Sequence, residues 1–262
     1  MSPGTGTLPA TSEPAVNAGT GGPTALRERV LAALGRVRDP ELDRPITDLG
    51  FVAACTVSAQ GDAVVRLRLP TYFCAPNFAF LMAADARRAV LAAEGIRSAE
   101  VVLEDHFAAG EINSGVAAGA GFAASFPGLA EGELDGLRAA FGRKAVLAAT
   151  DEAGRPLLAA GLRPADLAAM TLNEAAAAVS RSAPQDRREA AAALARLRER
   201  RAELGLPASG TAPLLVDPAT GAAVDAAAAP RHLRRAAVTR VGMEANTSIC
   251  RGMLRGRYRE GA

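Results

Sequence analysis

Cys74 is the residue whose type and setting most readily do chemistry. It stands in Leu69-Pro70-Thr71-Tyr72-Phe73-Cys74-Ala75-Pro76-Asn77, between an alternating run that reads as a strand and an apolar run that reads as a helix. A thiol at a helix start faces the unpaired N–H groups of the first turn and the positive end of the helix dipole. Both favour thiolate over thiol. A thiolate binds soft metals or attacks electrophiles. Upstream lie the carboxylates of Asp39-Pro40-Glu41-Leu42. They can act as hard oxygen ligands or as a base, and equally can close a turn after a helix. His106, between Asp105 and Phe107, carries an imidazole suited to iron or zinc, although a surface histidine after a strand is the commoner outcome.

The remaining chemistry-bearing residues read more plainly. Cys55 shares a strand face with Phe51 and Val57 and is expected to be a buried structural thiol. Cys250, in Thr247-Ser248-Ile249-Cys250-Arg251-Gly252, reads as packing on or near a last helix, and its approach to Cys74 is left open. His232 lies between Arg231 and Arg234 and reads as solvated. Gly115, Gly119 and Gly121 echo a dinucleotide loop, but no βαβ unit follows, so close helix packing or a loop explains them better.

The elements that must position Cys74 follow from periodicity. Thr24 is placed to cap a helix with Leu26, Val30, Leu34 and Val37 on one face, ending near Asp39-Pro40. Phe51, Ala53, Cys55 and Val57 alternate, Gln60-Gly61 turns, and Ala63, Val65, Leu67 and Leu69 alternate against Arg66 and Arg68. This is a hairpin with one buried face. After Cys74 a helix carries Phe78, Leu81, Met82, Ala86 and Ala89, and Ala99, Val101 and Leu103 form a third strand. The expected fold class is α+β: a small α-β-β-α-β domain with a three-stranded sheet, followed by a mainly helical C-terminal region.

Three divisions are expected: a disordered tail at 1–23, rich in Gly, Thr, Pro, Ser and Ala; the small domain at 24–110; and the helical region at 111–262. Helices are predicted there at 131–149, 164–180 and 186–204, the last with Gly205 as C-cap, then a short hairpin at 214–224 and a final helix at about 244–258. The 186–204 helix mixes Arg187, Arg188, Arg196, Arg198, Arg200 and Arg201 with Glu189, Glu199 and Glu203, which reads as a solvated face.

Composition narrows the function classes. Thirty basic against 28 acidic residues give a net charge of +2, too balanced to argue for a nucleic-acid partner. Three widely spaced cysteines make no disulfide framework and suit a reducing cytoplasm. Residues 1–23 lack a basic segment followed by an apolar one, and no long strongly apolar run occurs, so neither signal peptide nor membrane span is expected. No Gly-x-Ser-x-Gly elbow, Walker loop, His-Glu-x-x-His or Cys-x-x-Cys is present, which argues against hydrolase, nucleotide-driven and zinc-structural roles.

Taken together, the first helix, Asp39-Pro40-Glu41-Leu42, Ile46-Thr47-Asp48-Leu49-Gly50-Phe51-Val52, the hairpin and the Leu69-Pro70-Thr71…Cys74 loop resemble the iron–sulfur cluster assembly domain family. Its relatives include SufT-like and PaaD-like proteins and the eukaryotic cytosolic cluster-targeting factors. The resemblance covers about residues 24–105. The longer form, with Cys74-Ala75-Pro76-Asn77-Phe78, Glu104-Asp105-His106 and a helical extension, is similar to accessory proteins of bacterial propane-type multicomponent monooxygenases.

Carried over by position, the resemblance implies that Asp39 and Glu41 are the family's acidic pair and that Thr71 and Cys74 are its threonine and reactive cysteine. One departure stands out: the family commonly sets the cysteine four residues after the threonine and directly before a proline. Here the spacing is three and Ala75 intervenes.

The resemblance implies a maturation factor that passes iron or a transient iron–sulfur cluster to a client metalloenzyme of monooxygenase type, or works with the cluster assembly machinery. Cys74 would be the transient ligand, Thr71, Asp39 and Glu41 supporting groups, and His106 a weak further ligand. Clusters usually take about four thiolates, so one chain with three cysteines is expected to bind through a second copy, as a homodimer, or through a client's ligands. The alternative is a metal-free assembly chaperone or subunit of such a monooxygenase. A thiol enzyme with Cys74 as nucleophile is the third reading, with His106 as its one nearby base in sequence.

Overall fold

The computed structural model describes residues 22–259 apart from 129, 131, 133, 182 and 183, so the predicted tail lies outside the described residues up to residue 21. Helix α1 (Pro23–Leu34) opens on Pro23, whose missing N–H is not needed in a first turn. Gly22, not Thr24, is the N-cap. Leu26, Val30, Ala33 and Leu34 are its buried face. The chain then forms a two-residue ribbon, β1 (Arg38–Asp39) antiparallel to β2 (Arg44–Pro45), which carries the predicted acidic pair.

The sheet has the order β3-β4-β5, from β3 (Val52–Val57), β4 (Asp62–Arg68) and β5 (Ser98–Glu104). β3 and β4 form the expected hairpin, and β4 pairs with β5 in parallel. A parallel neighbour needs a crossover, and α2 (Pro76–Leu91) supplies it. Ala63, Val65 and Leu67 face the core as alternation predicts, while Arg66 and Arg68 turn outward onto Glu104, at 2.8 and 2.7 Å. Ala53 does not face the core: an irregularity between Val52 and Ala54 shifts the register and leaves it exposed.

Two short helices, α3 (Ala109–Ala118) and α4 (Phe122–Ser125), close the small domain. Asn113 on α3 pairs with both the N–H and the carbonyl of Leu103, at 2.8 and 3.1 Å. Gly115 lets α4 approach, since a Cβ there would lie 1.9 Å from the Ser125 hydroxyl. Ile112, Val116 and Phe126 join the first hydrophobic cluster, which therefore runs past residue 110.

The rest is helical. α5 (Asp135–Ala159) is longer than the predicted 131–149 helix, and α6 (Pro164–Ala169) and α7 (Leu172–Ser180) replace a single helix at 164–180. The break falls at Met170, in extended conformation, because Thr171 restarts the chain with a capping box to Glu174. α8 (Pro184–Glu203) follows, with Gly205 in the left-handed region just beyond it. The predicted hairpin at 214–224 is reduced to one isolated bridge, Val216 with Ala223, around the Asp217 turn.

The final helix, α9 (Ala229–Arg259), starts far ahead of the predicted 244. Its first part packs into a second cluster with Leu157, Leu167, Leu172, Leu197 and Leu214. Its last part crosses to the first cluster through Cys250 and Leu254.

The arginine-rich α8 exposes Arg187, Arg188, Glu189, Glu199 and Glu203 as expected, but buries two arginines. Arg201 is fully buried and donates to the carbonyls of Pro207, Pro213 and Leu214. Arg200 is buried against Asp43, its Nε 2.8 and 2.9 Å from the two carboxylate oxygens. No helix among the described residues is long and apolar enough to cross a membrane.

Candidate functional site

The segment between β4 and α2 fixes Cys74. Leu69 and Pro70 are buried and tether the loop, and Ala75 with Pro76 opens α2 without a side-chain cap. Cys74, half-buried, therefore sits directly ahead of the helix N-terminus, where the sequence put it. The Thr71 hydroxyl lies 3.3 Å from its sulfur. The shorter Thr-to-Cys spacing thus still brings the two side chains into contact.

His106 holds the loop from the other side. One face of the geometry fixes its tautomer: Nδ1 accepts from the Ala108 N–H at 3.1 Å, so Nε2 carries the proton and donates to the Cys74 carbonyl at 2.7 Å. The ring is buried, and burial pushes its pKa below the usual histidine value. With both nitrogens committed to backbone, His106 is a clamp on Cys74. In this arrangement it offers no free lone pair to iron or zinc and no base to the sulfur. The Tyr72 carbonyl adds a second tie by accepting from the Phe107 N–H at 3.2 Å.

These ties line up three aromatic rings that sequence reasoning passed over. Tyr72, Phe73 and Phe107 are 48%, 77% and 49% exposed, with ring centroids 5.0 to 6.3 Å apart. Large rings seldom remain in water without a use. The signal was present as Tyr72-Phe73 beside Cys74, but Phe107 joins them only through the fold.

The acidic pair divides. Asp39 is buried, and its Oδ1 accepts from the N–H groups of Glu41 and Leu42 at 2.9 and 2.8 Å, closing the turn between β1 and β2. Burial pushes its pKa up to about 6, against the pull of those two hydrogen bonds. Glu41 is half-buried and faces α9, with Asn246 Nδ2 3.5 Å from its Oε1. A cleft of about 580 Å³ opens beside Asp39, lined in part by Arg38, Asp85, Arg138, Arg200 and Glu203. Its charges are largely consumed by one another, Arg138 on Asp85 and Arg200 on Asp43 and Glu203.

Of the other thiols, Cys55 is buried in the sheet core, and burial raises its pKa. Cys250 is brought to the site. It is half-buried on α9, its thiol pushed up to about 11 first by burial and then by Asp39, Cys74 and Glu41 as neighbours. No group of three or more His, Cys, Asp or Glu side chains among the described residues is gathered closely enough to hold a metal ion.

Set beside known proteins, residues 27–103 match the family model described as iron–sulfur cluster assembly protein. An uncharacterized protein of Methanocaldococcus jannaschii is 33% identical over 87 residues, which span 33% of this chain and 90% of the relative. No solved structure matches the chain. The matched stretch holds Asp39, Glu41, Thr71 and Cys74. His106, the exposed Phe107 and all of α9 lie outside the family model.

Proposed function

This chain belongs to the iron–sulfur cluster assembly protein family, and from that premise we propose that it hands iron or an iron–sulfur cluster to a client metalloenzyme through Cys74. The observation that carries this reading is the setting of Cys74. It is a half-exposed sulfur at a helix start, held from below by Thr71 and His106 and ringed by exposed aromatics.

The donor set suits cargo in transit. A stable cluster usually takes about four thiolates, and the described residues gather no such set. A metal held by one accessible thiolate keeps positions open, so a client's thiolates can enter before Cys74 leaves. The Thr71 hydroxyl can donate to the sulfur and moderate its charge during that exchange. Tyr72, Phe73 and Phe107 provide an apolar platform against which a client segment can seat. A monooxygenase of the propane-oxidising type is the client we propose, and the cytoplasm, where thiols stay reduced, the compartment.

The test is anaerobic reconstitution with iron and sulfide of the wild type and Cys74→Ser, read by absorption and metal analysis, followed by transfer to an apo-client. Cluster absorption lost with Cys74, and client loading lost with it, is the expected result. A Cys74→Ser protein that loads the client normally overturns the transfer reading.

A second reading is favoured by the same aromatics and by the exposed Val238, Val241, Ile249 and Met253 of α9. These surfaces suit an assembly chaperone that needs no metal. On that reading Cys74→Ser is silent, whereas Phe73→Ser and Phe107→Ser together abolish client maturation.

A further inference from the structure

The position of Cys250 is more than a packing detail. Asn246, Cys250, Leu254 and Arg257 follow one another at spacings of four, four and three, which places them on one face of α9. Three of the four have named contacts, all on the small domain. Asn246 reaches Glu41, Leu254 lies against Gly50, and Arg257 donates to the carbonyls of Leu69 and Asp105 at 3.1 and 2.6 Å. Leu69 and Asp105 flank the two loops that carry Cys74 and its clamp His106. Arg251 fastens the same stretch to the Asp48 carbonyl at 3.0 Å. Cys250 sits in the middle of this face, packed on the same hydrophobic cluster as Cys74.

We propose that Cys250 is the second cargo ligand, so that iron or a cluster is gripped by two thiolates from distant parts of one chain. The inference rests on reading Cys74 as the cargo ligand and goes beyond it. The grip is supplied in cis by α9 and does not call for a second copy. Soft iron centres select thiolates, and two such ligands hold a metal while leaving positions for a client's own. No group of three or more ligands is gathered among the described residues, so two thiolates leave the remaining positions to the client. Asp39 engages one carboxylate oxygen, Oδ1, in the turn.

The experiment uses the full chain with cobalt(II) as a visible probe. Sulfur-to-cobalt charge-transfer absorption is recorded for wild type, Cys74→Ser, Cys250→Ser and the double variant, with thermal melting of each as a control of folding. The expected result is a loss of about half the intensity in each single variant and all of it in the double, with the loaded wild type remaining a monomer.

Proximity is measured separately in the metal-free wild type with diamide. This azo compound takes two electrons and two protons from two thiols, becoming the hydrazine as one S–S bond forms. A peptide map joining the Cys74 and Cys250 peptides is expected. A Cys250→Ser protein with undiminished absorption, or a metal-free chain yielding only intermolecular disulfides, overturns this inference. If Cys74→Ser alone abolishes the signal, the transfer reading survives without it; if no variant differs from wild type, both fail.

Discussion

The small domain and the helical region keep their interiors in different ways. The first core is built from branched and aromatic side chains on a sheet: Val65, Leu67, Leu69, Val101, Leu103 and Phe51 are all buried and carry no polar atoms. The second packs leucine and valine with a larger share of alanine on helices, and charged groups are buried at and around it. Arg201 lies on backbone carbonyls, Arg200 on Asp43, and Arg240 on Asp151 at 2.6 Å. Small side chains let helices approach but bury little area each. Directional contacts then have to decide which approach is chosen. The contrast teaches that the two regions should fail under different injuries.

The largest effect is expected in the first core. Leu67→Ala should lower stability by about 4 kcal/mol, because it removes a fully buried side chain from a rigid sheet that cannot collapse onto the space. Urea denaturation measures it, and a loss below about 1 kcal/mol would break the contrast. Arg240→Met should cost about 3 kcal/mol, since it strands the nearly buried Asp151 carboxylate without its partner. The same measurement on Asp151→Asn/Arg240→Met should recover part of that loss, which sharpens the claim that charge complementarity orders the helices.

Gly115→Ala comes next, at about 2 kcal/mol, because its Cβ meets Ser125 and must push α4 away. Gly115→Ala combined with Ser125→Gly should regain most of it. The smallest effect is the helical region's own share of the pH dependence, beside those of His106 and Asp39 in the small domain. His232 is half-buried, and burial holds its pKa below the ordinary 6.5. As pH falls through 6.5 the unfolded chain takes up a proton that the folded one resists, so stability is lost toward acid. His232→Gln should reduce the slope of melting temperature against pH between pH 7 and about pH 5, leaving the part due to His106 and Asp39. An unchanged slope would leave His232 in the solvated role that its flanking arginines suggest.

The same difference explains what could be read from the sequence. Two-residue alternation in Ala63, Val65 and Leu67 announced the hairpin, because a sheet with one buried face leaves its period in the chain. The displaced Ala53 did not show, since a register shift is set by the partner strand. Helices were visible at 164–180 and 186–204 as composition. The stop at Met170 and the burial of Arg200 and Arg201 were not, because the partners are distant carbonyls and Asp43.

At the site, Thr71 and Cys74 could be singled out from the resemblance, and their 3.3 Å contact came through the altered spacing. The turn closed by Asp39 was one of two open readings, and the role of His106 as a backbone clamp could not be foreseen, because an imidazole or carboxylate looks the same whether it waits for a ligand or holds a turn. The nearness of Cys250 was beyond reach for the plainest reason: 175 residues of sequence lie between it and Cys74.

That separation gives α9 a meaning in time. At about 5–20 residues per second of synthesis, Cys74 leaves the ribosome roughly 10 to 35 seconds before Cys250. For most of this interval the residues of the sheet and of the clamped loop have been made, but the Arg257 ties to Leu69 and Asp105 have not. The nascent chain therefore passes through a short childhood in which the loops around Cys74 lack the ties that α9 later gives them.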